Sequence, residues 1–119
     1  MRTHRAERVG SLIQSELGKI LLRDIDLPEA DGKHSVLTTI SRVEVSKDLS
    51  AAKVFVGILP ESITKEVFTA LKKEQGECQY LLNRRMNIKP MPRIDFVLDE
   101  GLGKASKIEK IFIDGDNDL

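Results

Sequence analysis

Six of the seven cations in the stretch TKEVFTALKKEQGECQYLLNRRMNIKPMPRIDFVL, which runs from Thr64 to Leu98, flank its middle: Lys72, Lys73, Arg84, Arg85, Lys89 and Arg93. Lysine and arginine are positive at neutral pH and carry several N–H donors and no acceptor, and arginine's planar fork matches two oxygens of a phosphate. The chemistry they offer is anion binding, not proton transfer. Val67, Phe68, Ala70 and Leu71 recur at helical spacing, as do Tyr80, Leu81 and Met86, with Gly76 between the two runs. Glycine allows a positive φ or the close approach of another backbone. The pattern predicts two helices broken at Gly76, with cations on both sides of the bend, and such a bend suits a phosphate backbone.

Residues for other chemistry are scarce. His4 and His34 are the only histidines, and both fall in segments expected to be mobile. No Cys, His or carboxylate grouping has metal-ligand spacing, and there is no glycine-rich phosphate loop and no nucleophile elbow. Asp95, Asp99 and Glu100 flank a strand end and read as solvated charges. Cys78 shares its helix with Tyr80 and Leu81, which favours a packed thiol over a reactive one. The expectation is a chain without catalytic residues, metal or cofactor.

At 119 residues, 40% hydrophobic and 32% charged, the chain has the size and composition of one globular domain. One cysteine cannot form an internal disulfide, and no run is apolar and long enough to span a bilayer, so a reducing, cytoplasmic setting is expected. Aromatics make up 4%, too few for a base-stacking platform. Net charge is zero, but its distribution is uneven. Residues 1–23 carry +3, 24–64 carry −3, 65–93 carry +4 and 94–119 carry −4. A positive face on a neutral molecule is compatible with this alternation.

The elements that must position the cations follow from periodicity. Val9, Leu12, Ile13, Leu17, Ile20 and Leu21 form one stripe of a helix over His4–Arg23, with Arg5 and Arg8 near its exposed start, where they could reach a phosphate. Asp24–Ser35, with Pro28 and Asp31-Gly32, reads as a loop. Val36–Ser46 is β-branched, but its apolar parity changes between Ile40 and Val43. A bulge near Ser41-Arg42 would restore one buried face. After the turn Lys47-Asp48-Leu49-Ser50, a second strand alternates cleanly through Ala52, Val54, Val56 and Ile58, which predicts an antiparallel hairpin. Pro60 closes it, with Ser62 or Thr64 as N-cap of the next helix. Pro90 and Pro92 end helical structure before a third strand through Ile94, Phe96 and Leu98. The order α-β-β-α-α-β makes a two-layer α+β domain, helices on one face of a small sheet. It is expected to fill residues 1–113, with 114–119 an acidic, flexible tail.

These residues resemble the bacterial ribosome-binding factor A family. The match is densest in the hairpin TTISRVEVSKDLSAAKVFVGIL, Thr38 to Leu59, whose VEVSKDLSAAKVFV core resembles the family signature. Arg5-x-x-Arg8-Val9, Leu81-x-x-Arg84-x-Met86 and Pro92-x-Ile94-x-Phe96-x-x-Asp99 follow in the same order. The resemblance implies a type II KH-like fold in which the last strand joins the hairpin in a mixed sheet and an interhelical kink replaces the GxxG loop. The matching kink positions are Glu74, Gln75 and Gly76, with glutamate where the family has alanine. It further implies a non-enzymatic assembly factor that binds free immature small ribosomal subunits and small-subunit rRNA, promotes maturation of rRNA ends and supports growth in the cold. The implied rRNA contacts are Lys72, Lys73, Arg84, Arg85, Lys89 and Arg93, then Arg5 and Arg8, on a monomer. The rival reading is a small α+β protein-interaction or regulatory module without RNA contact.

Overall fold

β2, Ala51–Leu59, is the centre of the sheet, and its sequence AAKVFVGIL explains why. Ala52, Val54, Val56 and Ile58 are all buried, while the residues between them lie on the other face. A strand with one wholly apolar face must be covered, and burying each valine or isoleucine is worth about 1.5–3 kcal/mol. The computed structural model describes residues 2–27 and 37–99, with side chains from His4 onward. Within them the chain runs α1 (Arg2–Arg23), β1 (Leu37–Val45), β2, a 3-10 turn (Glu61–Ile63), α2 (Thr64–Lys73), α3 (Gln75–Arg85) and β3 (Arg93–Leu98). The two-layer α+β order expected from the sequence is thus observed. Most of the Asp24–Ser35 loop, with His34, and the tail at 114–119 lie outside the described residues.

β1 pairs antiparallel with β2, and β3 pairs parallel with β2, in the order β1-β2-β3. The register of β1 shifts between Ile40 and Arg42, so Ser41 is the extra residue of a bulge where the parity change placed one. The bulge keeps Ile40, Val43 and Val45 on the helix side. It leaves Arg42 and Glu44 on the open side, where Arg42 lies 3.9 Å over the Phe55 ring and pairs with Glu44 at 2.9 Å.

α1 packs along β1. A Cβ on Gly10 would stand 3.3 Å from the Val43 carbonyl oxygen, and the Gln14 Nε2 donates to the Ile40 oxygen at 2.9 Å. Helix numbering rises as strand numbering falls, so α1 runs antiparallel to β1. Val9, Ile13, Leu17 and Ile20 meet Val54, Val56, Val67, Leu71, Leu82 and Phe96 in one core. The α2 N-terminus departs from expectation. Neither Ser62 nor Thr64 caps it; Ile63 occupies the cap position without a side-chain bond, and Thr64 Oγ1 donates backward to the Ile58 and Pro60 oxygens. The preceding 3-10 turn has taken over the entry.

The β1–β2 turn is tied by its own side chains. Asp48 Oδ1 accepts from Ser46 Oγ (2.7 Å), Ser50 Oγ (2.7 Å) and the Ser50 N–H (3.1 Å). These bonds hold the Asp48 carboxyl down at about 2. Leu49 takes a positive φ of 61° while its side chain is buried, so core packing holds a backbone conformation that leucine disfavours.

Gly10→Val should destabilise the fold by about 1–3 kcal/mol through overpacking against Val43. Gly18→Ala, whose Cβ would meet nothing within 4 Å, should stabilise it by about 0.5–1 kcal/mol; urea unfolding of both checks the contrast. A depressed carboxyl stabilises the fold above the ordinary value of 3.8, and that contribution is lost as pH falls through about 2. Asp48→Asn should therefore lower Tm at neutral pH and flatten the decline of Tm across this acid window.

Candidate nucleic-acid interface

The helix break falls at Glu74, two residues before the position the sequence suggested. Glu74 has φ −88° and ψ 2°, and its N–H reaches the Ala70, Leu71 and Lys72 oxygens at the end of α2. Gly76 lies inside the first turn of α3, has no left-handed φ, and a Cβ there would touch nothing within 4 Å. Glycine's special freedoms are thus unused at this position. What fixes the junction is β3. Lys72 Nζ reaches Asp95 Oδ1 at 2.7 Å and the Phe96 oxygen at 3.3 Å. Gln75 Oε1 accepts from the Phe96 N–H at 2.9 Å. Gln79 Oε1 accepts from the Ile94 N–H at 2.8 Å, while its Nε2 donates to the Pro92 oxygen at 3.1 Å.

These contacts sort the nominated cations. Lys72 is committed to β3. Arg85 Nε meets Glu16 Oε1 at 2.8 Å, which joins α3 to α1 and holds the Glu16 carboxyl below its ordinary value, with Lys19 also close at 3.6 Å. Arg84 leans on Tyr80, donating to its hydroxyl at 3.2 Å. Arg5, Arg8, Lys73, Lys89 and Arg93 are exposed and form no ion pair among the described residues.

Chain direction then groups them. Gln75 faces Phe96 and Gln79 faces Ile94, so α3 runs antiparallel to β3 and finishes beside the start of that strand. β3 starts opposite Ala51, next to the β1–β2 turn. α1 begins past Val43 and Val45, at the same end of the sheet. At about 1.5 Å per residue, Arg5 stands roughly 7 Å beyond Gly10 along the helix axis. Arg5 and Arg8 from α1, Lys47 from the turn, Arg84 from the last turn of α3, Lys89 from the following loop and Arg93 from β3 therefore lie toward one end, while Arg85 turns to Glu16, past Gln14 and Ile40 along α1. Lys73, at the helix junction, lies toward the other. Asp24, Asp26, Glu61 and Asp99 follow the ends of α1, β2 and β3 there, with Arg23 among them. Lys47 was absent from the sequence-based set, because only the hairpin's direction in space brings it near Arg93.

An open cleft of about 700 Å³ lies at the cationic end, lined by Ser50, Ala51, Gln75, Pro90, Met91, Arg93, Ile94 and Asp95. Cys78 is buried, and burial, then Glu74 and Glu77, push its thiol up to about 12, which suits a packed side chain and not a nucleophile. No group of His, Cys, Asp and Glu among the described residues could hold a metal ion, and no described helix is long and apolar enough to cross a membrane.

The family model of ribosome-binding factor A matches residues 5–112. The chain belongs to the ribosome-binding factor A family. Ribosome-binding factor A of Chlamydia pneumoniae is 32% identical over 108 residues, 90% of this chain and 88% of that protein. The solution NMR structure of a Thermotoga maritima protein resembling ribosome-binding factor A superposes with a TM-score of 0.62 at 30% identity, covering 82% of this chain and 90% of that one. Coordinates of the Thermus thermophilus family member, fitted into a cryo-EM map of its complex with the 30S subunit, share the fold. Their TM-score is 0.55 at 22% identity, over 87% of this chain and 96% of that one. The family's KH-like fold is the one seen here, with Glu74 as the junction where a KH domain carries its GxxG loop.

Gly76→Ala should raise stability by about 0.5–1 kcal/mol and leave the angle between α2 and α3 unchanged, as thermal unfolding and amide chemical shifts can establish.

Proposed function

We propose that this chain is a ribosome assembly factor that binds free immature small subunits through their rRNA, as a monomer in the cytoplasm. The observation that carries the reading is the cationic end, assembled from α1, the β1–β2 turn, the end of α3 and the start of β3 in a member of a ribosome-binding family. Lysines and arginines there supply salt-dependent affinity for phosphate, and the shape of folded rRNA supplies selectivity. The protein acts by binding alone. It favours one rRNA conformation in proportion to its differential affinity for that conformation. By that means it promotes maturation of rRNA ends, including during growth in the cold, when misfolded RNA is slow to rearrange.

The contact set differs from the one read along the sequence. Arg5, Arg8, Lys47, Arg84, Lys89 and Arg93 carry the interaction. Lys72 and Arg85 hold the fold that presents them, and Lys73 is peripheral. The rival reading is a small α+β protein-interaction or regulatory module without RNA contact; its strand-addition form is disfavoured because α1 lies along the β1 edge and side chains of α2 and α3 occupy part of the β3 edge.

Lys89→Glu with Arg93→Glu should abolish co-sedimentation with immature small subunits without changing Tm. Neutral Lys89→Gln with Arg93→Gln should lower the slope of log affinity against log salt by about 2, roughly one per phosphate contact. Lys73→Glu should change binding much less. Retention of the reversed variant on subunits, or a wild-type affinity that ignores salt, would sink the assignment.

A further inference from the structure

We propose that the segment following β3, residues 100–118, folds back across the open face of the sheet and brings Asp114, Asp116 and Asp118 to the cationic end, where they compete with RNA phosphate. The inference rests on the RNA-binding reading above and adds a built-in competitor to it.

The helices cover one face of the sheet and leave the other open. Register fixes what the open face carries. Leu37 stands opposite Leu59, and Phe55 opposite Val97, all on the side away from the buried row of β2. Leu37 and Leu59 are 58% and 55% exposed, and Phe55 is half-buried beneath Arg42. Apolar side chains grouped in this way gain by being covered.

The size of the face selects its occupant. Three strands about 4.8 Å apart, six residues long at about 3.3 Å each, present on the order of 300 Å². Counted from both sides, that is about half of the ~1,200 Å² at the low end of stable association, so a free protein or a second copy would bind weakly. A segment already joined to the sheet sits at roughly millimolar effective concentration and needs less area. β3 delivers such a segment. The Asp99 N–H continues the parallel ladder to the Val56 oxygen at 2.7 Å. Asp99 Oδ2 accepts from Ser41 Oγ at 2.7 Å, across the open side of β2. Residue 100 therefore starts at the rim of the open face, at the end remote from Arg93.

The sequence beyond that rim suits the course. Gly101 and Gly103 favour a reversal. Ile108, Ile111 and Phe112 recur at i, i+3 and i+4, one apolar stripe. Arg93 and Asp99 are about 20 Å apart along β3. The stretch from Lys104 to Ile113 covers about 15 Å as a helix and about 33 Å as a strand. Either course sets the three aspartates down near Lys47, Lys89 and Arg93, which carry the opposite charge. RNA then binds only the molecules from which the aspartates have lifted, and its apparent affinity falls by that fraction.

Two measurements on the full chain test this. By NMR, Ile108→Ser with Phe112→Ser should move the amide resonances of Leu37, Phe55, Leu59 and Val97. By fluorescence anisotropy at fixed salt, Asp114→Asn with Asp116→Asn and Asp118→Asn should bind an RNA hairpin of arbitrary sequence about three- to tenfold more tightly than wild type. Leu37→Ser with Leu59→Ser, remote from the cations, should give a similar gain, and the two sets combined no more than either alone. Asp24→Asn with Asp26→Asn and Glu61→Gln makes the same change of net charge at the other end, and should gain much less. Unmoved resonances, no gain, or an equal gain in that control would overturn the inference and leave the RNA-binding reading intact. Failure of wild type and all variants to bind the hairpin and immature subunits would overturn both.

Discussion

A three-stranded sheet with one apolar face can be stable only if something covers that face and both of its edges. The packing of the described helices answers that constraint. β2 supplies the apolar row, and α1, α2 and α3 all lie on the side where Ala52, Val54, Val56 and Ile58 point. The helices do more than cover the face. α1 brings Gly10 and Gln14 to the outer side of β1, and α2 and α3 bring Lys72, Gln75 and Gln79 to the outer side of β3. A sheet this small has two edges for one interior strand, and Gln14, Lys72, Gln75 and Gln79 all bond to edge-strand backbone.

The same constraint decides which charges are free. A lysine at a strand edge can serve the backbone carbonyls of the strand or an external anion, and Lys72 serves the strand. An arginine between two helices can join them or face outward, and Arg85 joins them through Glu16. The cations left exposed are those on chain segments that run past the end of the sheet, where no carboxylate of the described residues pairs with them. Division of labour among residues of one type is therefore set by position relative to the sheet. Their neighbours in sequence do not reveal it.

Much of the fold was legible because period-two and period-3.6 patterns are local. The parity change between Ile40 and Val43 located the bulge, and the clean alternation of β2 located the hairpin partner. The buried Cys78 likewise followed from its apolar neighbours. Gly76 misled because glycine's freedoms were inferred from its identity, whereas the junction is set by hydrogen bonds to a strand that comes twenty residues later in the chain. The candidate site was legible only in part for a related reason. Lys72 and Lys73 stand close to Arg84 and Arg85 in sequence, yet the antiparallel course of α3 along β3 carries the two pairs apart. Lys47 arrives from a distant turn. Spacing along one helix can be read from sequence; the direction in which that helix is laid against a strand cannot.

The separation of cations at one end from Asp24, Asp26, Glu61 and Asp99 at the other has a consequence for how the molecule approaches its partner. The chain as a whole is neutral, so a polyanion exerts little net pull on it from afar. A uniform field turns a neutral dipole without displacing it, and attraction grows only where the field changes steeply, within about a Debye length of the surface. Such a protein is aligned late and held weakly by bulk nucleic acid. On the proposed reading it would meet a ribosomal surface end-on and leave one that does not fit.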